Sequence, residues 1–446
     1  MDKNFDPDRI YEDFIKNKVN KIEALKNLES FINESDKEEI RVQAINLIEK
    51  LSFFNEKVVK IVEKCIITDE SPLVRFSAAK FALKNNLDQT KNALNWLVNN
   101  EKSILFYKKM LDFIDESQDS KLQIFKEKIL KKLEMIYNLR KADSRFILEL
   151  DFLDYEKFIK TFSEFSNKFK ISEIERKKLF KENSEIGFKG LGRIKSTKDG
   201  CITGLVLENL AKIPNSLHTL SKLENLVIKR SKIESIPDDS GYLSNLKNLI
   251  LNNNQIESIP NWVLKVASKD YFTKKYVKDG VNFKEASILG LLEILTGQAF
   301  IRLELDSSAS HSLLFYYKIN NNGNIHTLYI SSELSPIGIF PKEICNLKLL
   351  VELCMVNQNI RFIPNCIGEL TNLQILNLNY NKIGEIPASI GNLEKLEYFY
   401  LKTDQGNLNS VPEHIINLQN LKILDLTGNV IKNIPESIKS LKSLKI

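Results

Sequence analysis

Eight of the eleven prolines fall at near-regular intervals. Pro214, Pro237, Pro260, Pro341, Pro364, Pro387, Pro412 and Pro435 are separated by 23, 23, 81, 23, 23, 25 and 23 residues. Each follows an apolar residue: Ile213, Ile236, Ile259, Phe340, Ile363, Ile386, Val411 and Ile434. A fixed period in the twenties restricts this part of the chain to a solenoid, because each unit is too small to bury its own apolar face and must stack on the next.

The residues between the prolines identify the unit. Leu373-x-x-Leu376-x-Leu378-x-x-Asn381-x-Ile383-x-x-Ile386-Pro387 recurs as Leu246-x-x-Leu249-x-Leu251-x-x-Asn254-x-Ile256-x-x-Ile259-Pro260, and again from Leu421 to Pro435. Alternating leucines predict a short parallel strand with one face inward. The Asn side chain can satisfy backbone groups at the turn beyond it. The Ile-Pro begins an extended return, closed by a helical turn such as Ile390-x-x-Leu393-x-x-Leu396. In eight copies the pattern resembles the leucine-rich repeat family, and within it the 23-residue class found in intracellular proteins. Ser231, Gln358 and Asp404 stand where the turn Asn is expected. The copy ending at Pro412 carries two extra residues near Gln405-Gly406-Asn407, and the first copy, Ile202 to Pro214, is about two residues short.

The 81-residue interval holds one repeat of 23 and 58 further residues. Lys318 to Ile330, leading into the later repeats, aligns without a gap on Lys195 to Leu207, leading into the earlier ones. Each predicts a hairpin whose second strand is the first strand of an array. Ala286 to Gly297 precedes the later hairpin as an apolar helix with a Gly stop, and a charged helix around Ile171–Lys181 precedes the earlier one. Both read as N-terminal caps, giving two arrays of three and five repeats.

Residues 1–185 read as helical, with Asp6-Pro7 and Ser71-Pro72 as helix starts. Ser35-Asp36-Lys37-Glu38-Glu39-Ile40-Arg41-x-x-Ala44 recurs as Asp69-Glu70-Ser71-Pro72-Leu73-Val74-Arg75-x-x-Ala78, with 34 residues between the arginines. A third copy begins at Asn100 and places Tyr107 at the Arg position. This region resembles HEAT-type helical repeats, and the whole chain resembles the HEAT–leucine-rich repeat fusion proteins of some archaea, which implies an interaction scaffold without established chemistry. The expected fold is therefore a multidomain repeat protein, an all-α solenoid followed by an α/β solenoid. The expected divisions are 1–118 for the HEAT-like solenoid and 119–185 for a helical linker and cap. The first array with its opening hairpin takes 186–263, the second cap 264–324 and the second array 325–446.

The net charge of +6 divides into +1 over residues 1–150, +3 over 151–200 and +2 over 201–446. No segment has the concentrated basic character of a nucleic-acid binder or an electrostatic membrane anchor. The first residues lack the apolar core of a signal peptide, and no apolar run reaches the roughly 18–20 residues that span a bilayer. Cys65, Cys201, Cys345, Cys354 and Cys366 are odd in number and widely spaced. They read as reduced thiols, and the location as cytoplasmic. Leu444-Lys445-Ile446 lies one strand into a further repeat, so an uncapped edge is expected there.

Catalytic and cofactor motifs are not found. Gly190 to Thr197 half resembles a phosphate-binding loop, but Ile194 stands where that loop needs Gly, and a structural hairpin is the better reading. His218, His311, His326 and His414 have no metal-ligand spacing. Cys354 alone among the cysteines has a repeat position that points to the concave side, as a contact residue or a reactive thiol. No cofactor and no metal are expected, and the chain reads as a non-enzyme. What remains is the concave surface. In the second array it is expected to present Tyr329, Glu352, Val356, Asn377, Asn379, Tyr380, Tyr398, Tyr400, Lys402 and Asp425 to a protein partner. Tyrosine concentrates binding energy at low entropic cost, although it also favours strands for their own sake. The alternatives are a regulatory adaptor of a small GTPase or other signalling enzyme, and nucleic-acid binding by the helical repeats.

Overall fold

A computed structural model describes residues 6–52, 54–85, 88–169, 193–238, 243–305, 314–332, 336–404 and 406–444, with the side chains of 157–169 left aside. The chain divides into a helical unit, Met1–Gly192 with Asp199–Cys201, and a sheet-bearing unit, Arg193–Lys198 with Ile202–Ile446.

The helical unit contains α1 (Pro7–Ile15), α2 (Lys21–Glu34), α3 (Glu38–Lys50), α4 (Glu56–Thr68), α5 (Pro72–Lys84), α6 (Lys91–Asn100), α7 (Ile104–Asp115), α8 (Ser120–Tyr137) and α9 (Lys141–Phe169). The Asp6 carboxylate caps α1 and the Ser71 hydroxyl caps α5, each just before a proline whose missing N–H costs nothing there. The 34-residue recurrence is a recurring contact. Arg41 donates to both carboxylate oxygens of Asp69 at 3.0 Å, and Arg75 to both of Glu101 at 2.7 and 2.8 Å. In each case the cation of one motif holds the acid that opens the next. Tyr107, at the third Arg position, instead donates its hydroxyl to the Glu101 carbonyl at 3.0 Å. These groups are largely buried, so removing one partner would strand a charge, at a cost of about 3–5 kcal/mol.

The second unit contains two sheets. The first runs β1 (Ile194–Lys198), β2 (Cys201–Glu208), β3 (Asn225–Lys229), β4 (Asn248–Ile250) in spatial order. The second comprises β5 (Ile301–Leu303), β6 (Phe315–Ile319), β7 (Ile325–Ser331), β8 (Glu352–Val356), β9 (Ile375–Asn377), β10 (Tyr398–Tyr400) and β11 (Ile423–Asp425), again side by side in chain order. From β7 to β11 the pairing is parallel and in register. Leu328, Leu353, Leu376 and Phe399 are fully buried at equivalent positions and form one continuous core.

Turn asparagines tie adjacent repeats together. The Asn381 amide donates to the carbonyls of Leu378 (2.8 Å) and Met355 in the preceding repeat (2.7 Å), and Asn254 and Asn429 repeat the arrangement. Two of the substitutes keep the role. The Gln358 amide donates to the Val356 carbonyl at 2.8 Å and to that of Ser332 in the preceding repeat at 3.5 Å. The Ser231 hydroxyl donates to the Lys229 carbonyl at 3.1 Å and accepts from the Leu210 N–H of the preceding repeat at 3.1 Å. Asp404 does not: it is exposed, and its neighbour Thr403 takes the buried place, its hydroxyl 3.4 Å from the Asn381 carbonyl. The two extra residues of this copy let the turn shift by one position.

Between the sheets lie α10 (Asn261–Ala267), α11 (Asp270–Lys278) and α12 (Phe283–Thr296). Gly297 ends α12 at φ 69°, a left-handed conformation that glycine adopts without a Cβ clash. The Leu251 amide, which would begin another ladder, donates instead to the Ile294 carbonyl of α12 at 2.8 Å. The start of the same helix meets the β6–β7 hairpin, where the Asn282 amide donates to Asn324 at 3.0 Å and the Glu285 carboxylate accepts from the Ile325 N–H. The insertion therefore contacts both sheets, where the sequence suggested a cap for the second alone.

One reading of the cysteines is corrected. Cys345 and Cys366 are joined in a disulfide with their Cα atoms 5.8 Å apart, so the five are not all free thiols. They lie in the helical turns Lys342–Asn346 and Asn365–Glu369, which the solenoid stacks one on the next. Their 21-residue separation is close to one repeat, which is why two distant cysteines meet.

Candidate functional site

The face of the second sheet turned away from the leucine core, expected as the concave side, carries the residues singled out from the sequence. Register sorts them into rows. One row runs Ile301, Tyr316, Tyr329, Cys354, Asn377, Tyr400, Asp425 from β5 to β11. The next runs Leu303, Lys318, Thr327, Glu352, Ile375, Tyr398, Ile423. Val356 lies on β8 beside Ser331, and Asn379, Tyr380 and Lys402 lie just beyond the ends of β9 and β10.

Two of the expected tyrosines are in ring contact. Tyr398 and Tyr400, two apart on β10, stack with centroids 6.4 Å apart and planes within 9°. Lys422 sits over the outer ring at 5.7 Å, its ammonium held by Glu397. Tyr380 lies past the end of β9, with the Lys402 ammonium 6.0 Å from its ring. Its N–H donates to the Lys402 carbonyl at 2.6 Å. Asn379 closes this corner by accepting from the Lys402 N–H at 2.8 Å.

Tyr380 also has an unusual backbone. The residue just before the turn Asn position is left-handed in most repeats: Asn209, Arg230, Asn253, Asn357, Tyr380 and Gly428 all have φ between 50° and 79°. Asn and Gly adopt that conformation readily, whereas a bulky side chain there is strained by roughly 1–2 kcal/mol. Arg230 and Tyr380 are the exceptions among these six.

Tyr316 was not singled out by the sequence. It faces Tyr329 across the β6–β7 hairpin, centroids 4.8 Å apart and planes within 8°. Counting back from Ile319 and Ile325 at the turn pairs Tyr316 with Leu328, and only the register shift between Lys318 and Ile319 brings it opposite Tyr329. Between this tyrosine pair and the one on β10, the floor is small: Cys354 and Asn377. Glu352 adjoins it, its carboxylate 3.4 Å from the Thr327 hydroxyl and 3.7 Å from the Cys354 sulfur. Burial, and then the Glu352 charge, push the Cys354 thiol far above its usual range. The thiol is also buried, and both features weigh against the reactive-thiol reading. Burial together with Glu352 raises the Tyr316 hydroxyl as well.

The remaining motifs give no chemistry. Lys195, Ser196 and Thr197 lie on β1, while Gly190 and Gly192 fall outside the described residues, as do the helix expected at 171–181 and His311. His326 sits half-buried on β7, its Nδ1 3.2 Å from the Thr327 hydroxyl. Among the described residues no group of three His, Cys, Asp or Glu could hold a metal ion, and no helix is long and apolar enough to cross a membrane.

The Leucine Rich Repeat family matches residues 372–393 and 420–441, which are the β9 and β11 copies of this ladder. The chain carries leucine-rich repeats. A putative disease resistance protein of Arabidopsis thaliana is 33% identical over 113 residues, or 23% of this chain and 12% of that protein. The chain thus matches about an eighth of that curated relative's length. A leucine-rich repeat protein of Leptospira interrogans is 26% identical, covering 53% of this chain and 57% of the other at a TM-score of 0.27. The leucine-rich repeat ectodomain of the Arabidopsis thaliana receptor kinase GASSHO1/SCHENGEN3 is 23% identical, covering 55% and 23% of the two chains at a TM-score of 0.24.

Proposed function

We propose that the chain is a non-enzymatic binding scaffold that takes a protein partner on the open face of its second leucine-rich repeat sheet. Tyr329, Glu352, Val356, Asn377, Asn379, Tyr380, Tyr398, Tyr400, Lys402 and Asp425 would form the contact surface. The observation that carries this reading is Tyr380. A half-exposed aromatic ring occupies a left-handed position that four other repeats give to Asn or Gly, and its exposure shows that it is not part of the buried core. A side chain kept against local strain points to a role outside folding. The two stacked tyrosine pairs on the same face support it, since rigid rings with polar tips are what binding surfaces concentrate.

We also propose that residues 1–118 form a HEAT-like solenoid offering a second groove, a reading supported by the repeated arginine-to-acid contact. The cytoplasmic location loses its premise of five free thiols, and the Cys345–Cys366 bond favours an oxidising environment.

The test is a nuclease-treated pull-down from source lysate, read by mass spectrometry. The baits are the wild-type chain and a Tyr398→Ala/Tyr400→Ala variant with matched circular dichroism. A protein retained by wild type and lost by the variant supports the reading. An identical partner list for both contradicts it.

A further inference from the structure

The open face of the second sheet carries two carboxylates that its own lysines leave unpaired. The ion pairs described in the repeats use Glu208, Glu224, Glu369, Glu397 and Glu436. Glu352 and Asp425 belong to none of them. Both are half-buried, and each lies beside tyrosine rings: Glu352 next to Tyr316 and Tyr329, Asp425 across from Tyr400. The nearby basic groups are engaged elsewhere. Lys318 donates to the Leu305 carbonyl at 3.1 Å, and Lys402 lies over Tyr380.

We propose that this face recognises an extended peptide by its arginine side chains, one guanidinium at Glu352 and a second at Asp425. The inference rests on the scaffold reading above and adds the chemistry of the partner. A carboxylate partly withdrawn from water among aromatic faces is complementary to a cation. Arginine fits better than lysine because its guanidinium is planar, weakly hydrated, able to stack on a tyrosine ring, and able to donate two parallel hydrogen bonds to one carboxylate. Spacing adds a constraint. Glu352 is on β8 and Asp425 on β11, three strand steps apart and in adjacent rows two residues apart along the strands, or about 16 Å at the usual strand and residue spacings. An extended peptide crossing the sheet covers that distance in about four or five residues. The small Cys354 and Asn377 leave the path between the tyrosine pairs open.

The test selects binders to the full-length chain from a random linear dodecapeptide phage library. The selected peptide is then measured by fluorescence anisotropy against wild type, Glu352→Gln, Asp425→Asn and Tyr398→Ala/Tyr400→Ala. The expected consensus has two arginines four or five positions apart. Each carboxamide variant, near-isosteric and unchanged in circular dichroism, should weaken binding at least about tenfold, as removing one member of a desolvated charge pair does. Citrulline in place of either arginine should do the same. No enrichment, a consensus without paired arginines, or affinity indifferent to Glu352→Gln and Asp425→Asn overturns the inference. If such peptides still lose affinity with the tyrosine variant, the scaffold reading survives. If that variant binds them as wild type does, both fail.

Discussion

Tyr380 separates what a residue does for the fold from what it does besides. Its position asks only for a residue that accepts φ near 58°, and Asn209, Asn253, Asn357 and Gly428 answer that demand in other repeats. Tyr380→Asn should therefore stabilise the chain by about 0.5–1 kcal/mol, seen as a higher urea midpoint, while weakening capture of the partner. A lower midpoint would mean the ring contributes to folding after all. The left-handed position was legible in the sequence as a run of Asn and Gly before the turn Asn. That Arg230 and Tyr380 break the run was legible too. Thr403 was not: the turn Asn position is counted from the leucines, and two extra residues downstream let the buried place move from Asp404 to its neighbour.

Among the elements, the helical unit gathers one charge where three helices meet. Asp115 at the end of α7 pairs with Lys126 of α8 at 2.7 Å and with Arg145 of α9. Burial alone would raise the Asp115 pKa, but the two cations outweigh it and hold the carboxyl below its ordinary value. A depressed folded-state pKa contributes stability that is present above the unfolded value of 3.8 and lost as pH falls through the folded one. Asp115→Asn should accordingly cost about 1 kcal/mol at neutral pH, with the difference from wild type vanishing in acid melts below the folded pKa. A pH-independent difference would contradict the assignment.

The Cys345–Cys366 bond joins two consecutive helical turns and closes a 21-residue separation. Titration of the unfolded, unreduced chain should find three thiols, and five after reduction. Replacing Cys345 with Ser should cost about 3 kcal/mol. Five thiols before reduction would refute the bond. The pairing was hidden in the sequence because the cysteines follow Pro341 and Pro364 at different offsets, four and two. Only the stacking of one turn on the next brings those offsets together. The Tyr316–Tyr329 stack was obscured differently, by a register shift between Lys318 and Ile319 in the hairpin that joins them.

For the molecule as a whole, the proline period and the leucine pattern already implied a parallel sheet with a buried inner face. Every copy repeats the same steric demand, so agreement among copies outweighs the irregularity of any one. The separation into two sheets was legible as an 81-residue interval, but its cause was not. It lies in α12, whose Ile294 carbonyl takes the Leu251 amide that would otherwise start another strand. A helix at that place covers an edge that would invite pairing with another chain.

The central claim is that the open face of the second sheet is the binding surface. It is tested most directly by photocrosslinking from single positions with the captured partner present. A photoreactive side chain at position 377 or 402 on that face should crosslink the partner, and one at 394 or 419 on the helical-turn side should not. Crosslinks from 394 and 419 with none from 377 and 402 would place the partner on the opposite side and contradict the account.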